Sequence, residues 1–123
     1  MANAQEKIDC SKPQRQQTSN WCEQQASNRA DQLLNDHYMA LLSRLNAVAA
    51  NNGGVLSAAD SKRINAVKES ERMWLKYRDT QRHAAGDEYE GGTHAPWAYS
   101  HCLNVLTEQR LKALQEVYAD VFH

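Results

Sequence analysis

The sequence predicts an all-α protein, an elongated antiparallel up-down-up bundle of three long helices with an extended N-terminal arm. Apolar residues recur at steps of three and four along three stretches of the 123-residue chain, as one face of a helix requires. Short glycine-containing segments separate these stretches, and short connections join neighbouring helices in antiparallel order. The five Gly and two Pro are too few for an all-β protein. This length accommodates one domain, so we assign residues 1–17 to the arm and 18–123 to a single helical domain.

The first predicted helix begins at about Ser19, after a polar segment, and ends before a glycine pair. Its apolar face consists of Cys22, Ala26, Ala30, Leu34, Tyr38, Leu41, Leu45 and Val48. The run Asn51-Asn52-Gly53-Gly54 is a helix stop, because glycine adopts the left-handed conformation that follows a helix C-terminus at little cost.

Two further helices follow, and each has its own start signal. Ser57 and Asp60 have the spacing of a capping box. The apolar face of the second helix, which fades near Ala85, consists of Ile64, Val67, Trp74 and Tyr77. Pro96 suits the first turn of the third helix, whose apolar face consists of Tyr99, Leu103, Leu106, Leu114, Val117 and Val121. At 1.5 Å per residue, each helix would be about 40 Å long.

The charge balance excludes two classes of binding protein. The 14 Lys and Arg residues nearly cancel the 15 Asp and Glu residues, which leaves a formal net charge of -1. Such a balance argues against a general nucleic-acid binder and against a polybasic membrane-surface protein. No stretch approaches the roughly 20 apolar residues that a membrane span needs.

Three cysteines bear on the compartment in which the protein folds. A bridge between Cys10 and Cys22 would close a loop of about 13 residues and stabilise the fold by about 3 kcal/mol, and such bridges persist mainly outside the cytosol. Neither cysteine belongs to a CxxC pair, so a zinc site fits poorly. Cys102 lies on the apolar face of the third helix, where we expect a small buried thiol.

The first residues add a second indication of export. Ala2-Asn3-Ala4 has the A-x-A form of a signal-peptidase site, although a match in an alanine-containing segment also arises by chance. Together with Cys10 and Cys22, it favours a periplasmic or secreted protein whose signal peptide is removed before Ala2 to Gln5.

Charged residues interrupt the apolar faces of the second and third helices. In two antiparallel helices joined by a turn, residues that lie opposite each other have residue numbers with an approximately constant sum. This relation places Arg78 of the second helix opposite Asp31 of the first, and Glu71 of the second opposite Arg110 of the third. We therefore predict two inter-helix ion pairs, with Asp79 and Thr107 close enough to add hydrogen bonds. These residues could form a polar site inside the bundle or a structural network that fixes helix register. We favour the structural network, because such networks mimic the perturbed charges of active sites, so charged residues inside a bundle do not by themselves indicate a site.

The sequence contains no catalytic signature. The nucleophile elbow, zinc-protease, Walker and dinucleotide motifs are all absent, and His101 and Cys102 are adjacent, so they point about 100° apart on a helix. Five residues near the second glycine pair could in principle ligate a metal, but their irregular spacing favours a solvated acidic loop: His83, Asp87, Glu88, Glu90 and His94. We therefore expect neither an enzyme nor a metal or other cofactor.

The segment between the second and third helices is instead the best candidate for a protein-binding surface. It combines carboxylates, histidines and aromatic rings beside glycines, and an up-down-up bundle brings Trp21 to the same end. Aromatic residues are enriched where proteins recognise each other, although this loop could equally pack over the end of the core. The candidate partner-binding residues are His83, Asp87, Glu88, Tyr89, Glu90, His94 and Trp97.

Four motifs, taken together, resemble the lysozyme inhibitor LprI-like N-terminal domain family. They are Leu34-Asn35-x-x-Tyr38-x-x-Leu41, Trp74-x-x-Tyr77-Arg78-Asp79, Tyr89-x-Gly91-Gly92 and Cys102-x-x-x-Leu106-Thr107-x-x-Arg110. The resemblance runs from about Cys10 to Leu114 and implies a small, helical, exported bacterial domain, periplasmic or lipid-anchored. Most members of that family have no assigned activity, and its name comes from a member that inhibits lysozyme.

Two positions depart from the family pattern. Members commonly carry a cysteine three residues after the Arg-Asp pair, bridged to the cysteine of the third helix, but here that position is Arg82. The resemblance therefore implies one bridge, Cys10–Cys22, with Cys102 reduced. Glu71 stands where the family commonly has Gln, so the pair with Arg110 would be particular to this chain.

The resemblance ranks the possible functions. The first is an envelope protein that inhibits a lysozyme by binding, with acidic loop residues steering it to a cationic enzyme. The alternative is a periplasmic scaffold or stress-related binding protein with another envelope partner. A metal or small-ligand binder and an uncharacterised hydrolase rank below both.

Overall fold

A computed structural model describes residues 8–13 and 15–122 and consists of three long helices. They are α1 (Gln16–Ala47), α2 (Ala58–Asp87) and α3 (Ala95–Val117), with short 3-10 helices at Val48–Asn52 and Ala119–Phe122. The described residues contain no β-strand, so the predicted all-α class and up-down-up order are confirmed. The helices contain 32, 30 and 23 residues, which corresponds to lengths of about 48, 45 and 35 Å.

Helix α1 begins three residues before the predicted start. The Arg15 carbonyl accepts the Ser19 N–H at 2.9 Å, and Gln16 Nε2 donates to Asn20 Oδ1 at 2.8 Å. These i, i+4 bonds carry the helix back through the last two residues of the predicted arm. Of that arm the structure describes residues 8–13 and 15–17; the proposed cleavage site at Ala2–Gln5 lies outside the described residues.

The other helix boundaries follow the signals in the sequence. At the end of the first helical segment, Gly53 adopts φ 67°, in the left-handed region. Ser57 Oγ accepts the Asp60 N–H at 3.1 Å, which caps α2, and Pro96 lies in the first turn of α3. Helix α2 continues to Asp87 and α3 starts at Ala95, so the connection between them is residues 88–94, shorter than predicted.

Helix α3 packs along both of its neighbours, whereas α1 and α2 approach each other less closely. The apolar core lies in the half of the bundle nearest the α1–α2 turn, which we call the turn half. Its buried residues are Leu34, Leu41, Leu45, Ile64, Val67 and Leu114. In the opposite half, the connection half, the buried positions are small or polar: Ser27, Ala30, Gly86, Ala95, Ala98 and Thr107.

Three residues that we assigned to apolar faces are exposed. Val48 lies in a 3-10 segment, where the change of helical period rotates it outward, and Val117 is the last residue of α3. Tyr77 is 54% exposed, because Arg78 next to it takes the inward position on α2. None of the helices in the described part of the chain is long and apolar enough to cross a membrane.

Candidate functional site

The end of the bundle farthest from the α1–α2 turn brings together the predicted binding residues. It is formed by the start of α1, the end of α2, the connection 88–94 and the start of α3; we call residues 16–28 and 83–101 the connection end. Glu88, Tyr89, Glu90 and His94 lie in the connection. Trp97 lies in the first turn of α3, while His83 and Asp87 belong to the last turns of α2, so placing them in a loop was wrong.

Gly86 allows the two helices to meet closely at this end. It is buried, and a Cβ atom at this position would collide with the Tyr99 ring. Tyr99 in turn donates from its hydroxyl to Asp87 Oδ1 at 3.1 Å. This hydrogen bond stabilises the neutral phenol and raises the Tyr99 pKa,. The Asp87 carboxylate is therefore held by α3, at the point where α2 ends.

The connection is an ordered turn tied to both flanking helices. The Tyr89 N–H donates to the Gly86 carbonyl and the Gly92 N–H to the Tyr89 carbonyl, both at 2.9 Å. Gly91 adopts φ 83°, which other residues rarely tolerate. Asn20 Nδ2 of α1 donates to the Thr93 carbonyl at 2.9 Å. The backbone that carries the acidic residues is thus fixed at several points.

Two carboxylates of the connection face solvent. Glu88 and Glu90 are exposed, and neither forms an ion pair with another described residue. Tyr89 lies between them and is 41% exposed. The turn therefore presents two available negative charges on either side of an aromatic ring.

Residue placement concentrates negative charge at this end. Residues 16–28 and 83–101 contain Glu23, Asp87, Glu88 and Glu90 but no Lys or Arg, so they carry a formal charge of −4 with histidine neutral. The rest of the chain carries +3, and Lys12 and Arg15 of the arm are the nearest basic residues before α1. A chain that is nearly neutral overall therefore has an acidic end, which attracts cationic partners.

A continuous column of rings runs from the connection along α3. Tyr89 meets His94 edge-on at 4.7 Å between ring centroids, His94 stacks on Trp97 at 4.8 Å, and Trp97 stacks on His101 at 4.4 Å. His101 Nδ1 lies 2.7 Å from Glu23 Oε1 of α1. His94, Trp97 and His101 therefore help to pack the connection onto the bundle, and Tyr89 is the exposed ring of the connection itself.

The polar seam between the helices contains the two expected pairs. Arg78 Nη1 donates to Asp31 Oδ1 at 2.7 Å and to Thr107 Oγ1 at 3.3 Å, while Arg110 Nε donates to Glu71 Oε1 at 3.0 Å. Asp79 does not join them; it lies 3.9 Å from Arg82 on its own helix.

Burial distinguishes the two pairs. The two arginines are similarly buried, with Arg78 15% and Arg110 17% exposed, but the Glu71 carboxylate is 10% exposed and Asp31 is 59% exposed. The Trp74 ring lies between the two guanidinium groups, with Arg78 Cζ at 5.1 Å and Arg110 Cζ at 5.7 Å from its centroid. The seam thus joins all three helices around one aromatic ring.

A shallow cleft opens beside this seam, between α1 and α2. It has a volume of about 200 Å³ and is lined by Asp31, Leu34, Asn35, Tyr38, Glu71, Leu75 and Arg78. Burial raises the pKa of the Tyr38 hydroxyl, and the nearby Glu71 carboxylate raises it further,. Because the carboxylates that line this cleft are paired with arginines, the seam is best explained as the network that fixes helix register.

The cysteines have the states that the resemblance implied. Cys10 and Cys22 form a disulfide with a Cα–Cα distance of 5.6 Å, and Cys102 is free and half-buried. Burial raises the pKa of the Cys102 thiol,. Helices α2 and α3 run antiparallel and meet at Glu71 with Arg110 and at Gly86 with Tyr99. Interpolation between these two contacts places position 82 of α2 opposite about residue 102 of α3. A cysteine in place of Arg82 would lie near Cys102.

No group of three His, Cys, Asp or Glu residues in the described part of the chain is arranged to hold a metal ion. His83 packs edge-on against Tyr99 and His94 stacks on Trp97. The five residues considered as metal ligands are therefore spread over α2, the connection and the ring column.

Two features of this end were missed in the sequence, although each has a visible signal. The ring column follows from the spacing of His94, Trp97 and His101, which lie three and four residues apart on one helix face. The acidic end could have been predicted from the stretch between Arg82 and Arg110, which contains no Lys or Arg. The net charge of the whole chain does not show this local excess of negative charge.

Comparison with known proteins assigns the chain to a family. Residues 10–114 match the model of the family described as lysozyme inhibitor LprI. The chain is also 36% identical over 117 residues to an uncharacterised protein of Rhizobium meliloti (strain 1021), an alignment that covers 94% of this chain and 84% of that one. No solved structure matches. The chain belongs to the lysozyme inhibitor LprI family.

Proposed function

We propose that this protein is an exported inhibitor of a lysozyme that acts by binding through its connection end. The observation that carries the proposal is the pair of exposed, unpaired carboxylates, Glu88 and Glu90, on an ordered turn within an end that lacks Lys and Arg. The family description supports the class of target. The Cys10–Cys22 bridge supports export, because such bonds persist mainly outside the cytosol,.

The geometry supports a division of roles within the turn. A lysozyme cleaves its glycan with two carboxyl groups in a cleft, so an inhibitor must occupy that cleft and offer hydrogen-bond donors there. Tyr89 is the exposed ring of the turn and its hydroxyl is such a donor,. Glu88 and Glu90 would steer the turn towards a cationic enzyme and pair with basic residues at the rim of its cleft.

The direct test is a lysozyme activity assay at low and physiological salt. A cationic c-type and a g-type enzyme are each titrated with the protein and with the Glu88→Gln/Glu90→Gln double variant. We expect inhibition by the unmodified protein that weakens with salt, because exposed charges are screened. The double variant should lose about tenfold in affinity, mainly through slower association.

The control is a Glu108→Gln/Glu116→Gln variant, which removes the same charge from exposed positions of α3 outside the connection end. Unchanged inhibition by this control, together with the loss in the first variant, would locate the binding surface. Equal inhibition by both variants would refute the role of the turn. Absence of inhibition of either enzyme would refute the proposal and favour another envelope partner.

A further inference from the structure

A groove on another face of the connection end has a different chemistry from the acidic turn. It lies between the first turns of α1 and α3 and has a volume of about 420 Å³. We call it the Trp21 groove. Its lining residues are Gln17, Asn20, Trp21, Gln24, Pro96, Tyr99 and Ser100.

The side chains of the Trp21 groove combine apolar rings with neutral hydrogen-bonding groups. Trp21, Tyr99 and Pro96 supply flat apolar surfaces, and none of the seven lining residues carries a charge. Gln17, Gln24 and Ser100 make no side-chain hydrogen bond to another described residue, so their donors and acceptors are available to a ligand. The groove therefore offers ring faces and amide groups side by side, with no charged residue in its lining.

This combination favours one ligand chemistry over others. An anionic ligand would meet no Lys or Arg in the lining, and the nearby Asp87 carboxylate already accepts the Tyr99 hydroxyl. A purely apolar ligand would leave amides and a hydroxyl without partners. A sugar ring has one face of C–H groups, which contacts aromatic rings, and hydroxyls around its edge. An acetamido substituent adds an N–H and a C=O that a glutamine side chain can pair with reciprocally.

We propose that the Trp21 groove binds a neutral oligosaccharide built from N-acetylated hexose units. The volume accommodates a ligand of this size, since small-molecule sites measure about 300–1,000 Å³. The groove binds glycan on its own, independently of any action of the acidic turn on an enzyme. It gives the protein a means of association with glycans that is separate from the binding of an enzyme by the acidic turn.

The walls of the groove are held in place before any ligand binds. Asn20 is fixed on one side by Gln16, at 2.8 Å, and on the other by the Thr93 carbonyl, at 2.9 Å. Tyr99 is fixed by its contact with Gly86 and its bond to Asp87. The disulfide at Cys22 anchors the arm next to Trp21. Preorganised walls reduce the ordering cost of binding.

The test follows the indole N–H signals of Trp21, Trp74 and Trp97 in ¹⁵N-labelled protein titrated with tri-N-acetylchitotriose, with no enzyme present. Trp74 lies in the seam and Trp97 in the ring column, so both act as internal controls. We expect the Trp21 signal alone to shift, with a Kd of about 1 mM. Cellotriose, which lacks acetamido groups, should bind at least about tenfold more weakly.

Two variants keep the proposal falsifiable. Trp21→Ala should abolish the binding, and exposed Gln24→Ala should weaken it about threefold without disturbing the helices, which circular dichroism checks. Absence of a Trp21 shift at a trimer concentration tenfold above the expected Kd of about 1 mM would overturn the proposal. Binding that survives Trp21→Ala would also overturn it. Equal binding of cellotriose would overturn its acetamido part.

Two further experiments identify the source of the glycan ligand and separate sugar binding from inhibition of the enzyme. Co-sedimentation with insoluble chitin, compared with binding of the soluble trimer, distinguishes a polymeric glycan from a free oligosaccharide as the source of the ligand. The Glu88→Gln/Glu90→Gln variant should bind the trimer normally, because neither residue lines the groove. Failure of the inhibition assay therefore leaves this inference standing, and loss of sugar binding leaves the inhibition proposal standing.

Discussion

The two halves of the bundle differ in the side chains that they bury. The turn half buries large aliphatic side chains, including Leu41 and Val67 at 0% and 1% exposure. The connection half buries mostly alanine, serine and glycine. A disulfide ties the arm to α1, and a ring column and hydrogen bonds tie the connection to the helices. The apolar area buried per residue is therefore larger in the turn half, which should supply most of the hydrophobic stabilisation.

This difference separates stability from recognition. Small buried residues let α2 and α3 approach closely at Gly86, which positions the connection while leaving its carboxylates in solvent. Substitutions in the turn half should therefore affect unfolding, and substitutions of exposed connection residues should affect binding alone. The polar seam around Trp74 lies between the two halves and sets the helix register for both.

The largest effect on stability should come from the turn half. Leu41→Ala removes a fully buried side chain and should lower the free energy of unfolding by about 3–5 kcal/mol, through lost burial and the cavity that remains. Urea denaturation followed by circular dichroism measures this change. The matched control is Leu33→Ala on the same helix, where the side chain is 58% exposed, and it should cost less than about 0.5 kcal/mol. Similar losses in the two variants would contradict this division.

The seam should give the next largest effect, and burial should decide which pair matters. Arg110→Ala leaves the Glu71 carboxylate, 10% exposed, without its partner and should cost about 3 kcal/mol. Asp31→Asn removes the charge of a 59% exposed group and should cost less than about 1 kcal/mol. The same urea titrations measure both variants. A larger loss for Asp31→Asn would show that the pair with the exposed carboxylate, and not the Glu71–Arg110 pair, fixes the register.

A smaller effect is expected at the closest helix contact of the connection half. Alanine normally stabilises a helix relative to glycine, but Gly86→Ala places a Cβ atom against the Tyr99 ring and should cost about 2 kcal/mol. In a Tyr99→Ala background the same substitution should become neutral or stabilising, because the obstructing ring is gone. A double-mutant cycle of unfolding free energies measures this coupling. Additive effects would mean that the contact does not restrain the helices.

The smallest effect is a reaction rate. Burial raises the Cys102 pKa, so at pH 8 a smaller fraction of this thiol is ionised than in the unfolded chain, and iodoacetamide should alkylate it more slowly. The pKa of the Cys102 thiol is higher in the folded than in the unfolded chain. The contribution of this thiol to stability is therefore present below the unfolded-state pKa and is lost as pH rises through the folded-state pKa. Rates in buffer and in urea, measured by mass spectrometry, test this prediction. Equal rates would place the thiol in solvent.

Much of the fold could be predicted because it depends on local rules. Apolar spacing and cap residues such as Ser57 and Gly53 determine where helices begin and end. The antiparallel hairpin relation then brought Glu71 opposite Arg110 and Arg78 opposite Asp31, the contacts that the structure contains.

The rest depends on how the helices rotate and how closely they approach. Spacing alone gave Tyr77 an inward position that Arg78 takes instead, and it placed Asp79 in a network that Asp79 does not join. The contact of Gly86 with Tyr99 is a tertiary feature with no local signal. The end of α2 and the acidic turn could therefore be located in the sequence, but their geometry could not.

The most direct test of the account is an amide hydrogen-exchange footprint of the protein alone and in the presence of a cationic c-type lysozyme. We expect added protection confined to residues 16–28 and 83–101, with exchange in the turn half unchanged. Protection centred on the turn half, on the seam around Trp74 or nowhere on the protein would contradict the claim that the connection end binds the enzyme.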